Sequence, residues 1–398
     1  MFGGVGKFGS AARSFIIATF LMGFSNGMFD AVYNFYLEVR GIDKTATGHI
    51  YAVAMAMMAT AVIPLIIASR RVSQKKLLLI FAFVYALPFI LLPYLTSVLA
   101  SAVTLGLILS GMIAQLSLGN ALMGSNIDSA NRTKLFSYFF VSYLGAAMTG
   151  SVAVSAVTHY SHVEPLRNYQ AILVASFICA LLMIYFRIRS VRGITEPGVD
   201  ERGLAGKKDL EWANFIILFI SASLLGASIT LIFRFINIVF NLAYTLNVSE
   251  ISLIMGGDKV VSIIGALFAP ILVKKFSLKP TIIVSGLLTA ACLFFQSLHV
   301  PLAVFITLYL IRLLLNYCLM PLLDTLAITG FSKERTLLST SIRQLSFYLG
   351  GAVSAVIYGD LLESARWEET LIISAGLALT GAIFMSFIRV KDEKTILN

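Results

Sequence analysis

Arg70-Arg71-Val72-Ser73-Gln74-Lys75 and Lys274-Lys275-Phe276-Ser277-Leu278-Lys279 share one pattern: two basic residues, an apolar one, Ser, a variable position and Lys. The two hexapeptides lie 204 residues apart. The same offset sets Asp43 on Asn247, Thr45 on Ser249, Ile50 on Ile254 and Asp30 on Arg234. Several matches at one offset mark an internal duplication. Each hexapeptide separates long apolar runs, so the chain reads as two copies of one membrane unit.

Hydrophobic residues fill 58% of the 398 positions and charged residues 13%, with a mean hydropathy of +0.89, which excludes an ordinary soluble domain. A bilayer span takes about 20 mostly apolar residues. Runs of that kind predict twelve spans, at 14–37, 46–69, 77–95, 99–122, 135–158, 168–188, 212–240, 250–273, 280–298, 301–325, 337–358 and 369–389. Short breaks alone, Pro93 to Ser97 and His299 to Pro301, part the third span from the fourth and the ninth from the tenth. The predicted fold is an all-α membrane protein with twelve transmembrane helices in two pseudo-symmetric six-helix bundles. The N-terminal bundle takes 1–188, a cytoplasmic linker 189–210, the C-terminal bundle 211–390 and a cytoplasmic tail 391–398. Gly193, Pro197, Gly198, Gly203 and Gly206 stand among charges in the linker, a composition that suits a flexible joint.

Orientation follows from Lys and Arg. With both termini cytoplasmic, Arg40, Lys44, Arg167 and Arg366 lie outside and Arg234, Lys259, Arg312 and Arg343 within spans, which leaves 22 of the 30 basic residues inside. This asymmetry accounts for the net charge of +10. The basic residues are spread over short loops and form no single face for nucleic acid. The first span is too long and too polar for a cleavable signal peptide. Cys179, Cys292 and Cys318 are scattered through spans, and His49, His159, His162 and His299 do not cluster, so neither a disulfide framework nor a metal site is expected. Trp212 and Trp367 fall at span ends, where an indole suits the interface.

Polar residues recur on single helical faces. Asn26, Asp30, Tyr33 and Asn34 lie at i, i+4, i+7 and i+8 in the first span, and Thr230, Arg234, Asn237 and Asn241 repeat the stripe in the seventh. Hydrocarbon offers such groups no partner, so both stripes should face protein or water. Packing between helices would satisfy them, but a full charge in each goes beyond packing and points to a polar cavity. Asp258 and Lys259 interrupt the eighth span, Arg312 and Asn316 lie one turn apart on the tenth, and Arg343 stands in the eleventh. Asp258 and Lys259 point about 100° apart on a helix and need not pair. Asp30, Asp258, Arg234, Lys259, Arg312 and Arg343 together leave a positive excess, which suits an anionic or zwitterionic ligand. Arg343 could instead pack against a neighbouring helix. Asp324 falls near the end of the tenth span, as a gate or helix-end contact. The aromatic run Phe136, Tyr138, Phe139, Phe140 and Tyr143 lies in the fifth span, and Gly145, Gly150, Gly350 and Gly351 offer close helix approach.

Twelve spans in two related halves, with a basic loop after spans two and eight, resemble the major facilitator superfamily over nearly the whole chain. The family signature runs roughly Gly-x-x-x-Asp-Arg-x-Gly-Arg-Lys. Here Arg71, Ser73 and Lys75 fall near its Arg, Gly and last basic positions, while Arg70 and, in the second copy, Lys274 stand where Asp is usual. Asn131-Arg132-Thr133-Lys134 and Lys333-Glu334-Arg335-Thr336 are similar to the family's loops before spans five and eleven. The resemblance implies a central cavity lined by spans one, four, seven and ten and alternating access by rocking of the halves. In place of the usual Asp, Asp128 or Glu334 could pair with the basic loops.

The expectation is therefore a secondary active transporter, proton-coupled, for a small organic anion or zwitterion. It has no catalytic centre, takes no cofactor, and sits as a monomer in a bacterial plasma membrane. Asp30, Arg234 and Asp258 are candidates for proton coupling or gating. Asn26, Tyr33, Asn34, Thr230, Asn237, Lys259, Arg312, Asn316 and Arg343 are candidates for substrate contact. A salt bridge between Asp30 and Arg234 could close one end of the cavity, and its opening would favour protonation of Asp30. A permanent structural pair is the alternative. A proton-driven exporter of amphipathic or cationic compounds is a second reading. A non-transporting scramblase, sensor or assembly subunit is a third. No Gly-x-x-x-x-Gly-Lys-Ser/Thr loop points to ATP as the energy source.

Overall fold

The computed structural model of the chain describes residues 10–125, 129–192, 212–329, 331 and 336–388. These form twelve rods and, among the described residues, no strand. The first six are α1 (Ser10–Val39), α2 (Lys44–Arg71), α3 (Gln74–Ala86, extended by 3-10 turns to Tyr94), α4 (Val98–Ser125), α5 (Ser129–Tyr160) and α6 (Pro165–Val191). The seventh rod is α7 (Trp212–Thr230), a π turn (Leu231–Phe235) and α8 (Ile236–Tyr244) in succession. The rest are α9 (Val248–Phe276), α10 (Leu278–Gln296), α11 (Leu302–Thr329), α12 (Thr336–Glu363) and α13 (Trp367–Ser386). Eleven rods hold an apolar stretch long enough to cross a bilayer among the described residues, and the 28-residue α2 is the twelfth rod. The chain is an integral, multi-pass membrane protein.

The duplicated hexapeptides start the same element twice. Ser73 is the N-cap of α3, its Oγ accepting from the Lys76 amide at 3.5 Å, and Ser277 is the N-cap of α10. Ser is favoured there because its oxygen can receive an orphan helix amide. At Ser277 the backbone instead turns at φ 68° and the hydroxyl makes no cap bond.

Packing divides the chain into two units. The first comprises Met1–Asp43, Thr60–Val199 and Leu246–Val260. In it α1 packs on α5 and α6, and α3 on α4 and α6. Its apolar core gathers Phe15, Ile16, Leu77, Leu78, Leu118, Leu122 and Phe139. Gly150 lets α5 approach the Phe24 carbonyl of α1, where a Cβ would stand 2.5 Å from the oxygen, whereas Gly145 faces open space and serves no close approach.

The second unit comprises Lys44–Ala59, Asp200–Thr245 and Val261–Asn398. Here α7 packs on α12 and α13, and α10 on α11 and α13, repeating the pairings of the first unit in the same order. Its core gathers Leu218, Ala222, Leu225, Leu319, Leu323 and Leu326. Bulky apolar side chains such as Leu99, Ile216 and Phe294 stay exposed along the rods, as lipid contact requires.

Two rods contribute to both units. The first half of α2 belongs with α12: the Lys44 amide donates to Glu363 Oε2 at 2.8 Å, and a Cβ at Gly48 would stand 3.0 Å from the Gly359 Cα. The first half of α9 belongs with α5, where Ser249 Oγ donates to the Ser155 carbonyl at 2.9 Å. Residues 155 and 359 are repeat equivalents, 204 apart, so the same junction is made by hydroxyls in one unit and by glycine in the other.

Candidate functional site

In the first unit α1 carries Asn26, Asp30, Tyr33 and Asn34 inside the bundle. Asn26, Tyr33 and Asn34 are buried and Asp30 is half-buried. Asn26 Nδ2 donates to Asp30 Oδ2 at 2.8 Å, a charge-assisted bond one helical turn long. The Tyr33 ring tilts against Phe29 with centroids 4.6 Å apart. Asp258 of α9 is buried in this unit, and Lys259 Nζ reaches its Oδ1 at 2.9 Å. Their backbone directions diverge as the helix requires, but the four-carbon lysine stem spans the gap, so the neighbours do pair.

The second unit holds the arginines. Arg234 lies in the π turn, half-buried, with its guanidinium 5.6 Å from the centroid of Tyr51 in the first half of α2. Tyr51 also meets Phe235 edge-on at 5.4 Å. Thr230 Oγ1 donates to the Gly226 carbonyl at 2.8 Å, and Asn237 Oδ1 accepts from the Ile238 amide at 3.0 Å. Arg343 of α12 is buried and forms an ion pair with Asp324 of α11. Arg312 and Asn316 of α11 are fully enclosed, at 0% and 2% exposure.

The seventh rod departs from the regular helix that the stripe of Thr230, Arg234, Asn237 and Asn241 presupposes. A π turn carries one extra residue, so positions beyond it lag by about 100°. Thr230 and Asn237 are buried while Asn241 is half-buried. Nothing in Leu231-Ile232-Phe233-Arg234-Phe235, which lacks Gly, Pro and Ser, announces the break.

A profile described as Major Facilitator Superfamily matches residues 15–248 and again 217–398. The chain belongs to that superfamily. Its fold is shared with solved members: the xylose transporter XylE from E. coli in an inward open conformation, at TM-score 0.78 and 14% identity, covering 97% of each chain. The nucleoside transporter NupG gives 0.71 and 15%, covering 96% of this chain and 100% of that one. A POT family transporter in complex with 5-aminolevulinic acid gives 0.77 and 14%, covering 94% of each. Identities this low speak for the fold alone. No curated protein sequence matches the chain.

Among the superfamily features expected of the loops, Asp128 and Glu334 lie outside the described residues. Of the aromatic run, Phe139 turns into the core against Phe15 at 4.6 Å. Arg187 of α6, near the end of the predicted sixth span and not among the candidates read from sequence, is a buried cation at 1% exposure. Its Nε donates to Gln115 Oε1 at 2.8 Å, and its guanidinium lies 3.9 Å from the Phe15 ring centroid. The available signal was its place just inside the end of an apolar run. Tyr51 gave no signal beyond its place in an apolar span.

Proposed function

We propose that this chain is a secondary active transporter of the Major Facilitator Superfamily that works by alternating access, moving a small organic anion or zwitterion together with protons. The observation that carries the reading is the distribution of intramembrane charge. The second unit holds Arg234, Arg312 and Arg343 against Asp324, near the end of its span, and Glu369, at the first position of its own, as the described carboxylates that fall within its predicted spans, an excess that favours anionic groups. In the first unit Asp30 is a half-buried carboxylate that accepts from the Asn26 amide, and a carboxylate within a span marks a proton or solute pathway. Asp30 is assigned the coupling proton, Arg234 the counter-charge for part of the cycle, and Lys259 and Arg312 the substrate. Both termini are assigned to the cytoplasm of a bacterial plasma membrane and the monomer to the working unit.

Proton flux into proteoliposomes, triggered by pooled small organic acids and amino acids, tests the reading. Wild type should show substrate-triggered flux, and Asp30→Asn should reduce it by at least about tenfold, the scale of one lost proton-transfer group. Arg234→Gln should weaken substrate dependence. Flux unchanged in Asp30→Asn removes that carboxylate from coupling and turns attention to Asp258. Absence of any flux across the panel favours a non-transporting role.

A further inference from the structure

Among the described residues, the second unit encloses polar groups that have no hydrogen-bond partner. Arg312 Nε, Nη1 and Nη2 and both amide atoms of Asn316 are buried and accept or donate no hydrogen bond among the described residues. On α10, Thr289 Oγ1 and Gln296 Oε1 are buried and unpartnered as well. These atoms belong to one seam. Gln296 Nε2 donates to the Phe305 carbonyl at 3.1 Å, which fixes the antiparallel register of α10 against α11. Equal rise along both helices then sets Thr289 level with Arg312 and Ser285 level with Asn316. Cys292, Tyr309 and Tyr358 lie within electrostatic reach of the guanidinium, which stands 5.8 Å from the Tyr309 ring centroid.

The described carboxylates of this unit are engaged or remote. Asp324 pairs with Arg343 and lies twelve residues along α11, about 18 Å away at helical rise. Glu363 accepts from Lys44, Glu368 faces His299, Glu369 binds Arg366, and Asp360 is exposed. A guanidinium taken out of water needs more than the face of one tyrosine; it needs a counter-charge or enough hydrogen-bond partners. Neither comes from the described residues.

We propose that the α10–α11 seam of the second unit is an anion site in which Arg312, Asn316 and Thr289 donate to one compact, singly charged anion. Guanidinium and hydroxyl supply donors at one level and the Asn316 amide another one turn, about 6 Å, along α11, and complete enclosure selects for small size. A halide and the carboxylate head of a carried organic anion share this chemistry. The proposal deepens the transport reading at Arg312 and depends on it only for the second of those sources.

The test uses purified full-length protein in neutral detergent, in buffer whose only anion is a bulky zwitterionic sulfonate. Sodium chloride and sodium acetate are titrated separately, with the thermal unfolding midpoint and equilibrium binding of radiolabelled chloride or acetate as readouts. Saturable binding near one anion per chain, with a raised midpoint, is expected. Chloride alone acting identifies a free halide, and acetate alone identifies a carboxylate head. Arg312→Gln should weaken binding by at least about tenfold, and Thr289→Val, a milder change of similar shape, by severalfold. Absence of a response to either anion, or equal responses in wild type and both variants, would overturn the proposal. Asp30→Asn should lose proton flux and keep the anion response. A protein that binds the anion but carries no proton therefore counts only against the transport reading, and one that carries protons without an anion response counts only against this site.

Discussion

Arg187 shows how a cation is kept in a membrane bundle with no acid beside it among the described residues, where only its Nη1 is left without a hydrogen bond. Gln115 receives its Nε and passes its own amide to the Leu78 carbonyl, while Thr19 Oγ1 stands 3.5 Å from Nη2 and the Phe15 ring covers one face. One side chain thus ties α6 to α4, α3 and α1. Gln115→Ala removes an acceptor for a buried charge and a donor to a buried carbonyl, and should cost about 2 kcal/mol of stability. Thermal or denaturant unfolding of the purified variant reads this out, and a change within error would demote the clasp. At this scale the sequence was partly legible. Asp30, Asp258, Arg312 and Arg343 stood out as charges in apolar runs, because hydrocarbon makes them costly. Their partners did not, since the reach of Lys259 to Asp258 and of Arg343 to Asp324 depends on rotamers and helix contacts that spacing does not encode.

The seventh rod poses the same problem for an element. Twelve rods and their order followed from hydropathy, and the repeat of Ser73 at Ser277 marked two equivalent helix starts. The π turn at Leu231–Phe235 was invisible, because its cost is set by tertiary packing rather than by a breaker residue. Its consequence is positional: the turn fixes where Arg234 points and how far α8 is rotated beyond it. Deleting Phe233, an exposed residue of the turn, should restore a continuous α-helix and rotate Arg234 and Asn237 by about 100° relative to α7. The expected result is a protein that still inserts and purifies as a monodisperse species but has lost substrate-triggered proton flux. Full retention of flux would show that the extra residue plays no part.

For the molecule as a whole, duplication was the legible feature, and its asymmetric details were not. The offset of 204 predicted equivalent helices, but not that the first halves of α2 and α9 would pack with α12 and α5. Such pairings join residues far apart in sequence, and the glycines and serines at them carry too little side chain to leave a hydropathy pattern. Gly359→Leu should drive α2 away from α12, since a Cβ added there would stand 2.8 Å from the Gly48 Cα, at a cost of about 1–3 kcal/mol. The equivalent Ser155→Gly should do less, and comparing their unfolding midpoints checks the difference. The Lys44 to Glu363 bond closes a separation of 319 residues. During synthesis α2 therefore enters the bilayer long before the ribosome has made the helix that covers Gly48. At roughly 5–20 residues per second that wait lasts tens of seconds. In that interval the half-made chain presents the bare face of α2 around Gly48 to lipid, open to proteases and quality-control factors that recognise unassembled helices. Nascent chains stalled before residue 351 should accordingly be degraded faster than chains released after residue 363.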